Sequence, residues 1–273
     1  MYRILASLGE SQERRAQRGR VTYEAPFVRA TAPNEVWVWD ITALPAPQRG
    51  QFFYLYAVMD LYSRFVVSWQ VAHVQSGDLA ERLFLDACAV YDIAPASLCV
   101  HSDRGAPMTS YRLTHLFEQL GVMSSFSRPR ISDDNPHIES QFKTMKYQPD
   151  FPLRFHSYRS AVAWCDDYYA WYNNDHHHAG IAFYTPADVF FGRVAEVWAT
   201  RQAALDRAYR ANPERFVGGP PVAPRPPEFT EINPADLFTP EEAQTAPPSK
   251  LHLARLPNSK GRKVNPQLRF PIF

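Results

Sequence analysis

Three acids carry the chemistry that reaches furthest in this chain: Asp40, Asp103 and Glu139. Asp40 stands inside an apolar run, Trp39-Asp40-Ile41-Thr42. A carboxylate there is costly unless a partner or a cation offsets its burial. Asp103 directly follows a second apolar run, in His101-Ser102-Asp103-Arg104-Gly105, and Glu139 lies beyond a polar loop, in Asp134-Asn135-Pro136-His137-Ile138-Glu139-Ser140. Carboxylates are ligands for hard divalent ions, which keep their remaining positions for water and substrate oxygens. Two such ions roughly 3.5–4 Å apart suit phosphodiester transfer, because together they clamp the attacking and the leaving oxygen. Taken singly, each acid has an ordinary alternative. Asp103 before Arg-Gly reads equally as a turn residue, and Glu139 as a surface acid of a helix.

The case for the site rests on the elements that must position these acids. Val36–Thr42, Phe52–Met59 and Phe65–Val71 are β-branched and aromatic runs that predict strands. Asp60-Leu61-Tyr62-Ser63 is short enough for a tight turn between the last two, so three antiparallel strands are expected. From Gly77 the period becomes helical, with Leu79, Leu83, Phe84, Ala87 and Val90 on one face. Leu98–His101 predicts a buried strand. Thr109 is the expected N-cap of a helix that Gly121 ends, and Val122–Phe126 predicts a fifth strand. After the loop Arg128–Pro136 another helix is expected to start near His137. The order βββ-α-β-α-β-α is that of the ribonuclease-H-like architecture: α/β, a mixed five-stranded sheet flanked by helices. In that sheet the first and fourth strands are neighbours. Asp40 and Asp103 then reach the same edge, and the helix of Glu139 crosses it.

Around this core, residues 1–33 predict an N-terminal helix and linker, and residues 34–195 the catalytic unit. Residues 157–175 predict an aromatic helix of core character rather than a base-stacking platform, and a further helix is expected over about 186–211. Residues 196–235 predict a helical extension that turns irregular in the Pro/Gly-rich stretch Gly218–Pro227, and residues 236–273 an irregular basic tail.

With 45% hydrophobic residues in 273, the chain is long enough to bury a sizeable core. Cys88, Cys99 and Cys165 are scattered, which reads as buried free thiols in a reducing compartment. Neither a membrane-length apolar run nor a secretory leader is legible, so a cytoplasmic, nucleoid-associated protein is expected. Net charge is only +1, but both ends are basic. Residues 1–20 hold five arginines against two glutamates, and after Glu242 every charged residue is Lys or Arg. Such ends suit phosphates, although solvated tails give the same pattern.

Between Asp103 and Glu139 there are 35 intervening residues. This spacing resembles the D,D-35-E signature of retroviral-type integrases and related transposases. Trp39-Asp40-Ile41-Thr42, His101-Ser102-Asp103-Arg104-Gly105, Asp134-Asn135-Pro136 and Phe142-Lys143-Thr144-Met145-Lys146-Tyr147 resemble bacterial insertion-sequence transposases read from a second, frameshifted frame. Tyr172-Asn173, His178-Ala179-Gly180-Ile181, Thr185-Pro186-Ala187, Asn212-Pro213-Glu214-Arg215-Phe216 and Ile232-Asn233-Pro234 extend the resemblance over roughly residues 1–235. It implies a transposase that cleaves and joins DNA with two Mg²⁺ (or Mn²⁺) ions. Asp40 would bridge both ions, with Asp103 on one and Glu139 on the other, and the enzyme would work as a homo-oligomer on paired transposon ends. Lys143 and Lys146, at i+4 and i+7 from Glu139, share its helix face and are candidates for DNA contact. Arg104, Arg128 and Arg130 are weaker candidates, whereas Arg64 is expected in a turn.

Asp133 and Asp134 read as a helix cap rather than further ligands. His176-His177-His178 does not suit zinc, because consecutive residues do not converge on one tetrahedral ion. Two departures touch the DNA-facing charge: Ala43 stands where such relatives often carry Lys, and His177 where they often carry Arg. Met1–Leu5 resembles the tail of a helix-turn-helix region, so three readings stay open: a truncated chain, a DNA-binding part in another frame, or none. The alternative reading is therefore a catalytically inactive, DNA-binding remnant.

Overall fold

The structure, a computed structural model, describes Ser7, Tyr23 and residues 25–129 and 134–234. The N-terminal helix expected before residue 23, the tail 236–273, Arg130 and Asp133 lie outside these. A five-stranded sheet organises the chain. Strands β2 (Val36–Pro45), β3 (Phe52–Asp60) and β4 (Val66–Ala72) form an antiparallel meander. Strands β5 (Cys99–Ser102) and β6 (Met123–Phe126) extend it in parallel on the far side of β2, giving the order β4-β3-β2-β5-β6. Helices α1 (Gly77–Val90), α2 (Tyr111–Leu120), α3 (Pro136–Lys146) and α4 (Tyr158–Asn174) flank it. This is the ribonuclease-H-like arrangement expected from the element order.

The sheet is buried on both faces, and its pleat sorts side chains by parity. Trp37 and Trp39 of β2 and Val100 of β5 pack with Leu83, Phe84, Leu113 and Phe117 of α1 and α2. Val36 and Val38 of β2, Cys99 of β5 and Met123 of β6 face the other way. They meet Ile138, Phe142 and Met145 of α3 and Tyr168, Tyr169 and Tyr172 of α4. Burying one side chain the size of Phe142 contributes about 1.5–3 kcal/mol, so α3 is held mainly by its apolar stripe. The aromatic helix α4 is core, as its composition suggests. Asn173 adds specificity, since its amide accepts from Val66 N–H at 2.9 Å and donates to Val66 C=O at 3.0 Å.

The caps refine several expectations. Ser110, not Thr109, caps α2, because Ser110 Oγ lies 3.4 Å from Leu113 N–H while Thr109 Oγ1 donates back to the Gly105 carbonyl. Gly121 ends α2 in the left-handed region at φ 65°. The helix expected over 186–211 is two, α5 (Pro186–Phe190) and α6 (Val194–Ala211). Gly192, at φ 74°, turns the chain between them. The linker expected before residue 33 contains a strand, β1 (Val28–Ala30), which pairs antiparallel with β7 (Thr230–Ile232). That ribbon ties the start of the described chain to its end. Cys88, Cys99 and Cys165 are buried and free, with thiols raised by burial to about 11, 12 and 12. Among the described residues no helix is long and apolar enough to cross a membrane.

Candidate active site

Register brings the first two acids together. Strands β2 and β5 pair in parallel from Val36↔Cys99 to Trp39↔Ser102, so Asp40 and Asp103 are the next opposed positions where the ladder ends. Parity then decides their face. Val36 and Val38 point to the α3/α4 side, and Asp40 and Thr42 continue that alternation; Cys99 and His101 do the same for Asp103. Helix α3 lies on this face and carries Glu139, half-buried beside the core residue Ile138.

The electrostatics register the convergence. The Asp40 carboxyl is pushed up to about 7. Burial is the largest cause, the negative charges of Asp103 and Glu139 add to it, and the Ile41 N–H and Lys146 oppose it. Three carboxylates on one half-buried face are oxygen donors of the kind that suits a hard cation. Among the described residues, no three His, Cys, Asp or Glu side chains stand close enough to form a ready metal cage.

Lys146 supplies part of the counter-charge. Its Nζ donates to Thr42 Oγ1 at 2.6 Å, two residues along the strand from Asp40, and burial lowers its pKa although Asp40 opposes this. Lys143 is exposed on the same helix. Arg104 is exposed, with its Nε donating to the Ser127 carbonyl at 3.1 Å and its guanidinium 5.5 Å from the Phe126 ring centre. Arg128 has a structural duty. Its Nε and NH2 fork onto Asp134 at 3.0 and 2.9 Å, and its backbone N–H adds a third bond at 2.8 Å. Arg64 sits in the tight turn between β3 and β4 at φ 67°, buried, with its guanidinium on the Leu61 carbonyl.

Asp134 corrects the helix-cap expectation. The residue at the N-cap of α3 is Asn135, and no side-chain capping bond forms there, because its amide is turned to the Trp39 carbonyl at 3.3 Å. Asp134 is instead a buried anchor that accepts from Arg128 and, at 3.1 Å, from Asn233 Nδ2. Burial alone would raise its carboxyl, but these hydrogen bonds and the Arg128 charge bring it below the usual value. Asn233 also donates to the Pro26 carbonyl at 2.9 Å, and His137 Nε2 lies 3.5 Å from the Glu231 carbonyl. The β1–β7 ribbon therefore braces the start of the helix that carries Glu139.

Two further residues had drawn no attention as parts of a site. Ser127, just past β6, donates from Oγ to Asp103 Oδ1 at 2.6 Å. His101, fully buried in β5, has Nδ1 at 2.9 Å from Ser125 Oγ and Nε2 at 2.8 Å from the Asp134 carbonyl. The signal available was parity, since Ser125 and Ser127 continue the alternation that Met123 begins. In the histidine triplet, His176 stacks on Tyr172 and meets the His178 ring edge-on at 5.8 Å, His177 Nδ1 bonds the Phe183 carbonyl, and His178 Nδ1 accepts from Gly180 N–H.

The sheet order and the crossing helix are matched by a known class of domain. Two models of the integrase core domain match residues 30–132 and 120–186, together more than half of the chain. The chain belongs to the integrase core domain family. Its relatives include the transposase for insertion sequence element IS904 of Lactococcus lactis subsp. lactis (strain IL1403). That protein is 33% identical over 164 residues, covering 59% of this chain and 62% of the relative. The putative transposase InsK for insertion sequence element IS150 of Escherichia coli (strain K12) is 30% identical over 166 residues, covering 59% and 57%. The matched stretch thus spans about three-fifths of the length of these relatives. Among solved structures, the catalytic core domain of BIV integrase aligns at 18% identity and TM-score 0.42, over 59% of this chain and 95% of that one.

Proposed function

We propose that the chain is the catalytic part of an insertion-sequence transposase that cleaves and joins DNA with divalent metal ions. The observation that carries this reading is the register of β2 on β5, which makes Asp40 and Asp103 opposed neighbours on the face crossed by the helix of Glu139. Asp40, Asp103 and Glu139 would hold two Mg²⁺ or Mn²⁺ ions, as hard oxygen donors do. When bound, the ions supply Lewis-acid charge to the phosphate and to the attacking and leaving oxygens. The chain's own contribution is positioning. Asp40 and Asp103 are fixed by the sheet and Glu139 by α3, so the donors reach the reaction with little reorganisation. Lys143 and Lys146 line the same helix and would meet the phosphates of a transposon end, with Arg104 at the rim. Arg128, held by Asp134, would act on DNA only through the loop it braces. Work on two ends calls for at least two copies, so a homo-oligomer is the expected active species.

The test is a strand-transfer assay on the full chain with the flanking element's own ends, Mg²⁺ or Mn²⁺, and Asp103→Asn as control. Joined products that the control lacks support the proposal. End binding without products, equal in wild type and control and surviving chelation, would overturn it in favour of an inactive DNA-binding remnant.

A further inference from the structure

Ser127 is placed with unusual completeness for a residue outside any regular element. Its N–H donates to the Ser102 carbonyl at 3.0 Å, which extends the β5–β6 ladder by one residue. Its carbonyl accepts from Arg104 Nε at 3.1 Å. It is 2% exposed, so its side chain has no water to turn to. Both backbone groups being fixed, Oγ is carried to Asp103 Oδ1 at 2.6 Å. The direction of that bond follows from the neighbours. An ionised carboxylate only accepts, so the Ser127 hydroxyl is the donor. On its other side Oγ lies 3.5 Å from His101 Nε2. That nitrogen faces the Asp134 carbonyl at 2.8 Å, which also only accepts, so Nε2 carries the ring proton and Nδ1 receives the Ser125 hydroxyl. The face of Ser127 turned to the histidine therefore meets an N–H, and its own proton is left for Asp103.

We propose that Ser127 is a positioning residue for Asp103: its hydroxyl holds one carboxylate oxygen, fixing how the other is presented to a metal ion. The proposal rests on the reading of Asp103 as a metal ligand. Donors that grip the ligating carboxylates of a metal site typically matter about 10–100-fold in metal affinity. The same chain of bonds runs from Ser127 past His101 to the backbone of Asp134, so the mount of Asp103 adjoins the loop that leads to Glu139.

The experiment measures Mn²⁺ binding to the full chain, without DNA, by electron paramagnetic resonance of the free ion. Mn²⁺ accepts the same oxygen donors as Mg²⁺. Wild type, Ser127→Ala, Asp103→Asn and the double variant are compared. Ser127→Ala is expected to weaken binding about 10–100-fold, with an unfolding midpoint in chelator close to that of wild type. The double variant is expected to bind no more weakly than Asp103→Asn alone, because the hydroxyl acts only through that carboxylate. Losses that add would mean that Ser127 acts on the fold at large and would overturn the proposal. Wild-type affinity in Ser127→Ala, with Asp103→Asn impaired, would overturn it while leaving the metal reading intact. Equal binding by wild type and Asp103→Asn would remove the metal reading itself. Should Ser127→Ala not fold, Ser127→Cys replaces it, being close in shape and a much weaker donor, with the same direction expected.

Discussion

Asp40 and Asp103 are held by the backbone, whereas Glu139 is held by side chains. The two aspartates sit where a parallel ladder of main-chain hydrogen bonds runs out, and no single side-chain substitution in that ladder removes it. The helix of Glu139 starts at a junction of four side chains, three from the loop before it (Arg128, Asp134 and Asn135) and one, Asn233, about a hundred residues away. Asn135 reaches the Trp39 carbonyl, Arg128 forks onto Asp134, and Asn233 bridges Asp134 to Pro26. One half of the site is thus set by the sheet; the other rests on a helix whose apolar stripe holds it to the core and whose start is set by a small polar junction. Changes far from the acids therefore affect Glu139 before they affect the aspartate pair.

The largest expected effect erases the contrast. Asp40→Asn, Asp103→Asn and Glu139→Gln should each lower strand transfer on the order of 10³-fold or more, since each removes a ligand charge from the reacting centre. None should lower the urea midpoint, because each neutral isostere relieves repulsion among the acids. A variant that keeps activity within about tenfold of wild type takes that acid out of the site.

Arg128→Ala should sharpen the contrast. Breaking a wholly buried ion pair from one side costs about 3–5 kcal/mol. Arg128 keeps 27% side-chain exposure against 0% for Asp134, so about 2–3 kcal/mol is expected here. Urea unfolding measures it. Hydrogen exchange should show faster opening at the start of α3 and unchanged protection in β2 and β5. Equal loosening of both would mean that the junction supports the whole sheet. The pair's contribution should be present at neutral pH. It should be lost in acid, as pH falls below about 4 through the lowered Asp134 value.

Asn233→Ala should act in the same place more weakly. It removes two hydrogen bonds, to Asp134 and Pro26, and puts alanine at φ 52°, for an expected cost of about 1–2 kcal/mol. Asn233→Gly keeps the backbone conformation and loses only the bonds, so it should lie between alanine and wild type. If glycine equals alanine, the amide and not the backbone matters there.

How much of this was legible follows the same division. Strands β2 to β6 come from local composition and period, and their order, with the shared edge of Asp40 and Asp103, from the succession of elements. The junction is not local. Nothing about Asn233 or Pro26 in sequence points to Asp134, about a hundred residues away from each, and β1 and β7 are three-residue strands with about 200 residues between them. Asp134 reads as a cap because capping is the local use of an acid before Pro136. Its true partner, Arg128, is six residues back across a loop. Ser127 looks like any polar residue at a strand end until the ladder shows that it stands against Asp103.

The smallest effect concerns pH and isolates Asp40. Its carboxyl titrates near 7 in the folded chain against an ordinary 3.8, chiefly through burial. Across that window the folded chain keeps a proton that the unfolded chain has released, so stability from this group falls as pH rises. Asp60, raised to about 6 by burial, acts in the same direction. His137 and His178, lowered to about 3 and about 4 by burial, act oppositely up to the ordinary histidine value of 6.5. The total slope is therefore a competition, and the informative quantity is the difference between wild type and Asp40→Asn. In chelator, wild type should lose stability relative to Asp40→Asn as pH rises from about 4 to about 7, and no further above it. Adding Mg²⁺ near neutral pH should restore wild type and leave Asp40→Asn unchanged, because the ion binds the charge that the fold alone disfavours. A flat difference curve would mean that Asp40 is already compensated by Lys146, and that the sheet carries a finished ion pair rather than a waiting ligand.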